Sequence, residues 1–142
     1  MLLPSGECLV VAGTDDAGLD AGCQNAVRYD PATRLWAPTA GMISGRWAFG
    51  AIVRADGRLL VAGGTNDVTL DTGYRNAVLY DPLTRAWTWS ASMAVPRWDF
   101  AATALPDGRV LVVGGAVRSG AAAQGAAEDA LTATAEIFGP LS

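Results

Sequence analysis

The segment Asp56-Gly57-Arg58-Leu59-Leu60-Val61-Ala62-Gly63-Gly64 returns 51 residues later as Asp107-Gly108-Arg109-Val110-Leu111-Val112-Val113-Gly114-Gly115. Where the two copies differ, one apolar residue replaces another, so the physical pattern is unchanged. Asp-Gly supplies the positive φ of a two-residue hairpin. The apolar run that follows is strand-sized and has no polar face, which suits a strand buried between two neighbouring sheets. Gly-Gly then ends it where a side chain would collide or strain.

Working outward, the same offset aligns the rest of the chain. Tyr29-Asp30-Pro31 falls on Tyr80-Asp81-Pro82, Trp36 on Trp87, Met42 on Met93, and Arg46-Trp47 on Arg97-Trp98, with no gap needed until after residue 116. Each unit reads as four strands. Trp47 to Val53 alternates large and small side chains, as a strand between unlike faces does. Arg58 to Ala62 is the second strand and Asn76 to Tyr80 the third. Asp81-Pro82 stops the third, because proline cannot donate to the ladder, and Trp87 opens the fourth. The first unit holds its second to fourth strands, and the third unit its first three (Asp99 to Leu105, Arg109 to Gly114, Thr134 to Phe138). The count is ten strands, with unit boundaries at 1–46, 47–97 and 98–142. The Ala121 to Ala130 segment has the composition for a turn of helix, weakened by Gly120 and Gly125.

A period of about 50 residues carrying Gly-Gly, then Tyr-Asp-Pro, then Trp is the kelch signature among repeat proteins. On these residues the chain resembles the kelch-repeat family, in particular the bacterial-looking form shared with galactose-oxidase-like propellers. The resemblance spans essentially the whole chain and rests on Gly13, Gly63, Gly64, Gly114, Gly115, Tyr29, Tyr80, Trp36 and Trp87. It implies an all-β partial propeller of about three four-stranded antiparallel blades, the first and last incomplete. It also implies that each first strand lines a central channel and each fourth lies outermost. Closed propellers have about four to eight blades, so three leave open edges. A longer parent protein, or copies associating edge to edge, is expected to cover them.

Composition narrows the function. The chain carries a net charge of −4, with neither lysine nor histidine, and lacks the basic patch that nucleic-acid binding needs. Its apolar runs fall well short of the ~20 residues of a membrane span, and its N-terminus lacks the charged and apolar regions of a secretory signal. A soluble protein is expected, with the compartment open. Cys8 and Cys23 are separated by a strand and are not expected to pair. The copper radical site of galactose-oxidase-like enzymes needs histidine ligands and a tyrosine crosslinked to cysteine, and this chain has no histidine. No nucleophile constellation is available either, so no cofactor is expected.

Successive turns of a four-strand meander alternate between its two ends. The Asp-Gly hairpins and the Asp-Pro turns therefore share one face, and the loops after Gly-Gly share the other with the connections between units. Binding is expected on that second face, with Arg46, Trp47, Asn66, Asp67, Arg97, Trp98 and Asp99 as the candidate residues. A guanidinium beside an indole can hold a carboxylate or stack on a sugar. Against this stands the reading in which each Arg bonds backbone carbonyls or an acidic neighbour between blades and each Trp plugs the interface. Asp15, Asp16, Asp20, Asp67 and Asp71 are weak calcium candidates of loose spacing. Asp30 and Asp81 read as turn residues, and Trp36 and Trp87 as packed between blades. The expected function is a non-catalytic module for a protein or glycan ligand. The alternative is a fragment of a galactose-oxidase-like or other propeller enzyme whose catalytic residues lie outside this chain.

Overall fold

The structure is a computed structural model and describes residues 1–14, 22–66, 73–118 and 131–139. The Ala-rich segment at 121–130, the one place whose composition could allow a turn of helix, lies outside these residues. Ten strands are present among those described, and no helix: β1 (Cys8–Val11), β2 (Ala26–Asp30), β3 (Leu35–Thr39), β4 (Gly50–Val53), β5 (Leu59–Ala62), β6 (Ala77–Asp81), β7 (Ala86–Trp89), β8 (Ala101–Ala104), β9 (Val110–Val113) and β10 (Ala135–Phe138). They form three antiparallel meanders, ordered β1-β2-β3, β4-β5-β6-β7 and β8-β9-β10, hereafter blades 1, 2 and 3.

The blades stack face to face, and the apolar second strands explain how. Successive side chains of a strand point to opposite faces, so β5 sends Leu59 and Val61 one way and Leu60 and Ala62 the other. Leu59 and Val61, with Val78 and Tyr80 of β6, pack on Leu9, Ala26 and Met42 of blade 1. Leu60, Ala62 and Leu79 pack on Val110, Val112 and Phe138 of blade 3. Blade 2 is therefore buried on both sides, and its second strand must be apolar throughout. Burial of each large side chain in these layers contributes about 1.5–3 kcal/mol.

The first strand is shorter than expected. The alternation predicts a strand from Trp47, whereas β4 starts at Gly50. Ala48 has φ of 50° and Asp99, at the equivalent place, 51°, a left-handed conformation that breaks a ladder. Trp47 and Trp98 instead make isolated bridges with Thr65 and Ala116.

The two-glycine turn has its own variation. Gly63 and Gly114 adopt φ of 63° and 69°, and in blade 1 the same conformation is held by Ala12, with φ of 56°. A Cβ at Gly63 would stand 2.5 Å from the carbonyl oxygen of Arg97, so in blade 2 space as well as conformation requires glycine.

Trp36 corrects an expectation. Trp87 lies against blade 1 and its indole N–H donates to the Ala40 carbonyl at 2.8 Å, whereas Trp36 is 60% exposed. No described sheet stands on that side of blade 1. Trp36 leans instead on Tyr29, with ring centroids 5.0 Å apart.

Candidate functional site

The connections between blades and the Gly-Gly loops meet at one end of the stack. The Arg46 carbonyl accepts from Gly13 of blade 1, while Trp47 exchanges both backbone bonds with Thr65 of blade 2. One unit on, the Arg97 carbonyl accepts from Gly64, and Trp98 exchanges both bonds with Ala116. Each Arg-Trp pair thus stitches two neighbouring blades together through its backbone. Adjacent connections also touch, since Asp99 N donates to the Ala48 carbonyl at 2.8 Å.

Both arginines turn inward and have no accessible surface. The Arg46 guanidinium donates to the carbonyls of Gly63 and Asn76, to Asn76 Oδ1 at 2.8 Å and to Ser44 Oγ at 2.6 Å. It also lies over the Tyr74 ring, 4.9 Å from the centroid. Loss of hydration lowers its pKa to about 10, with Tyr74 acting in the opposite direction, so it remains a cation at neutral pH. Arg97 repeats the arrangement in blade 3, donating to the Gly114 and Thr134 carbonyls at 2.7 and 3.1 Å and to Thr134 Oγ1. Its last partner is charged: Nη2 pairs with Glu136 Oε1 at 3.1 Å. The expectation that these guanidinium groups face a ligand is thereby corrected. Their Nη donors are taken up inside the fold, by the Gly63 and Gly114 carbonyls at the Gly-Gly turns and by the Asn76 and Thr134 carbonyls, which also accept from Gly63 N and Gly114 N, while each Nε is buried with no acceptor among the described residues.

The remaining candidates divide by exposure. Trp98 is buried against Gly73. Trp47 is half-buried, and its Nε1 is shielded from solvent with no acceptor among the described residues. Asn66 Oδ1 accepts from Gly22 N at 2.9 Å, linking the loops of blades 1 and 2. Asp99 is exposed. Asp67, and with it every calcium candidate (Asp15, Asp16, Asp20, Asp67 and Asp71), lies outside the described residues. Among the described residues no three His, Cys, Asp or Glu side chains are grouped to hold a metal ion.

Sequence reasoning missed two features. Glu136 accepts from the backbone of Ala94 and Val95 as well as from Arg97, which fixes the second connection to blade 3. At the opposite end of the stack Arg28 pairs with Glu7 at 2.5 Å, beside a cleft of about 240 Å³ that also involves Asp30, Thr33 and Arg85. The available signal was that Arg28 stands where blade 2 has Leu79, a charge at an apolar position of the repeat. At the same end Asp30 and Asp81 accept from Ala32 N and Leu83 N within their own turns.

No family model matches the chain. Over 116 residues it is 29% identical to an F-box/kelch-repeat protein of Arabidopsis thaliana, a match covering 81% of this chain and 30% of that protein. Among solved structures it superimposes on a fungal alcohol oxidase of the AA5 family, determined in complex with copper, with a TM-score of 0.76 at 20% identity. That superposition covers 95% of this chain and 28% of the oxidase, so the chain spans under a third of either protein. Three stacked antiparallel sheets, a kelch-repeat relative and a galactose-oxidase-like structural neighbour together describe a kelch-like, all-β fold of the partial-propeller kind.

Proposed function

We propose that this partial propeller is a non-catalytic binding module that takes a protein or glycan ligand on the face where the Gly-Gly loops and the blade connections converge. The observation that carries the reading is the Trp47 indole N–H, which is shielded and has no acceptor among the described residues. Left so, such a donor costs about 1–3 kcal/mol, and Trp47 lies one residue from Ala48, whose carbonyl holds Asp99. Ala48 and Asp99 both keep a left-handed backbone, and such strain collects at binding sites. An indole edge, the Asn66 amide and an exposed Asp99 carboxylate suit hydroxyl-rich or amide-rich surfaces. The two buried arginines hold this face rigid and do not themselves touch the ligand.

The test is an NMR titration of the indole N–H resonances with a panel of neutral oligosaccharides and of peptides. Binding on this face shifts the Trp47 resonance, and Trp47→Phe and Asp99→Ala each abolish the response while the far-UV spectrum stays unchanged. Saturable binding that moves only resonances elsewhere, or that survives both substitutions, refutes the site.

The superposition on an alcohol oxidase favours a second reading, in which the chain is one part of a propeller enzyme. With no histidine in the sequence, the ligands of a copper centre of that kind would have to come from outside these residues. Metal analysis and an oxidase assay on a longer protein containing this chain decide it.

A further inference from the structure

Between blades 1 and 2, at the end of the stack opposite the Gly-Gly loops, a buried cation borders open space. Arg28 stands in register with Leu9 and Ala37. Leu9 packs on blade 2, so Arg28 is on the blade 2 side of its sheet and enters the joint. The residue is only 8% exposed, yet among the described residues its guanidinium makes one hydrogen bond, from Nη1 to Glu7, and its Nε has no acceptor. Arg46 and Arg97, the other buried arginines, each make four. A guanidinium is built to donate several bonds in a fixed fork, and leaving buried donors unmade is costly.

Arg28 borders instead the cleft of about 240 Å³. A second cation, Arg85 of the blade 2 Asp-Pro turn, lines it from the other side; it is exposed and joins no ion pair among the described residues. The acidic groups of the cleft are already engaged. Glu7 holds Arg28 through Oε1 and accepts from Ser5 through Oε2, and Asp30 accepts from Ala32 N within its own turn. The unused capacity is therefore that of cationic donors, which calls for an anionic acceptor. Two carboxylates on the same walls oppose a second negative charge, and Leu35 and Ala37 add apolar surface. The volume falls below the ~300–1,000 Å³ of drug-sized sites, so the ligand is small.

Blade 2 shows that the joint does not require this arrangement. There the positions of Glu7, Arg28 and Asp30 are Arg58, Leu79 and Asp81. Arg58 pairs directly with Asp81 at 3.3 Å, and Leu79 packs on blade 3. A buried charge costs more than an apolar side chain at such a place, and packing alone gives no reason for Arg28.

We propose that this cleft binds a small organic monocarboxylate, whose charged group bridges Arg28 and Arg85 and whose short apolar body lies on Leu35 and Ala37. The site is at the far end of the stack from Trp47 and Asp99, so it does not rest on the loop-face reading.

Titration with sodium isobutyrate, at constant ionic strength so that screening is fixed, tests it through the Arg28 Nε–H resonance. The expected result is a saturable shift with half-saturation below about 30 mM, a range open to a ligand of so few atoms. Isobutyramide, of the same shape and without charge, should give none, and inorganic phosphate should bind more weakly than isobutyrate. Arg85→Ala should weaken isobutyrate binding at least about threefold by removing one charged donor. Arg28→Leu, which installs the blade 2 residue, should abolish it. Half-saturation above that limit overturns the proposal, as does a saturable response to the amide or binding of phosphate as tight as that of isobutyrate. So does an effect of Arg85→Ala smaller than threefold, or a folded Arg28→Leu chain that still binds. Arg85 is exposed, so its variant keeps the proposal refutable if Arg28→Leu fails to fold.

Discussion

Replacing Arg97 by alanine separates the structural role of the buried arginines from a ligand-binding one. The substitution removes the donors to Gly114 O at 2.7 Å and Thr134 O at 3.1 Å, together with the bonds to Thr134 Oγ1 and Glu136. Glu136 keeps its two backbone donors and can turn toward water, and the threonine hydroxyl retains Thr132 as a partner. The Thr134 carbonyl likewise keeps Gly114 N at 3.0 Å, so the cost falls on the Gly114 carbonyl and on the cavity left by a large side chain. A bond from a charged donor is worth about 1.5–3 kcal/mol, and relief of the buried charge's desolvation returns part of it. The expected loss is about 3–5 kcal/mol, a large share of the ~5–15 kcal/mol of a typical domain. Urea unfolding followed by tryptophan fluorescence reads it as a lowered midpoint. Arg97→Lys should recover only a minor part, because an ammonium cannot reproduce the planar fork. A loss under about 1 kcal/mol with the fold intact would refute the reasoning and return Arg97 to the ligand candidates.

Trp87→Ala should destabilise the chain by about 2–3 kcal/mol and Trp36→Ala by under about 1 kcal/mol in the same urea assay, since among the described residues Trp87 packs on a neighbouring blade and donates to it while Trp36 does not. Ala12→Gly should raise stability by about 0.5–1 kcal/mol by relieving a left-handed alanine, whereas Gly63→Ala should lower it by more than about 2 kcal/mol through the close approach of the Arg97 carbonyl. The Asp30 carboxyl is held below its usual value of 3.8 chiefly by the Ala32 amide and then by the Thr33 hydroxyl. Its contribution to stability is therefore present above 3.8 and lost as pH falls through the lower folded value, so Asp30→Asn should flatten the fall in urea midpoint on the acid side.

Strand number and order were legible because the signals involved are local. Asp-Gly, Gly-Gly and Asp-Pro each dictate a turn through φ or a missing donor, and the apolar run between Asp-Gly and Gly-Gly reads as a strand, covered on both sides in blade 2. The limits of legibility lie where the acceptor is backbone. Arg46 and Arg97 announce donors, but the carbonyls that receive them belong to Gly63, Asn76, Gly114 and Thr134, whose side chains say nothing of it. Trp36 was misjudged for a related reason. Its repeat position is that of Trp87, and a position describes a residue's neighbours only where the next sheet is there to supply them. Glu136 escaped notice because the repeat loses register after residue 116, which hides that this carboxylate stands where blade 2 has Val78.

Comparing the units position by position divides scaffold from specificity. The elements that repeat, namely the glycine turns, the inward arginines, Met42 with Met93 and the Tyr-Asp-Pro turns, all serve the joint between blades or the turn within one. Some positions that do not repeat are in the loops, where Asn66 of blade 2 has Val117 at its place in blade 3 and Asp99 stands against Ala48. Others are in the joints, where Arg28 replaces Leu79 and Glu136 replaces Val78, each charge held by an ion pair, to Glu7 and to Arg97. A joint made by stacking constrains its surface, so a charge enters there only with a partner. Loop ends carry no such demand, and a ligand contacts several blades from one direction. Differences between blades at equivalent loop positions are therefore what a binding face requires, because identical blades would present the same chemistry at every step around the axis. On the proposed reading of the loop face, exchanging Asp99 for alanine, the residue its equivalent carries, should weaken binding without weakening the fold.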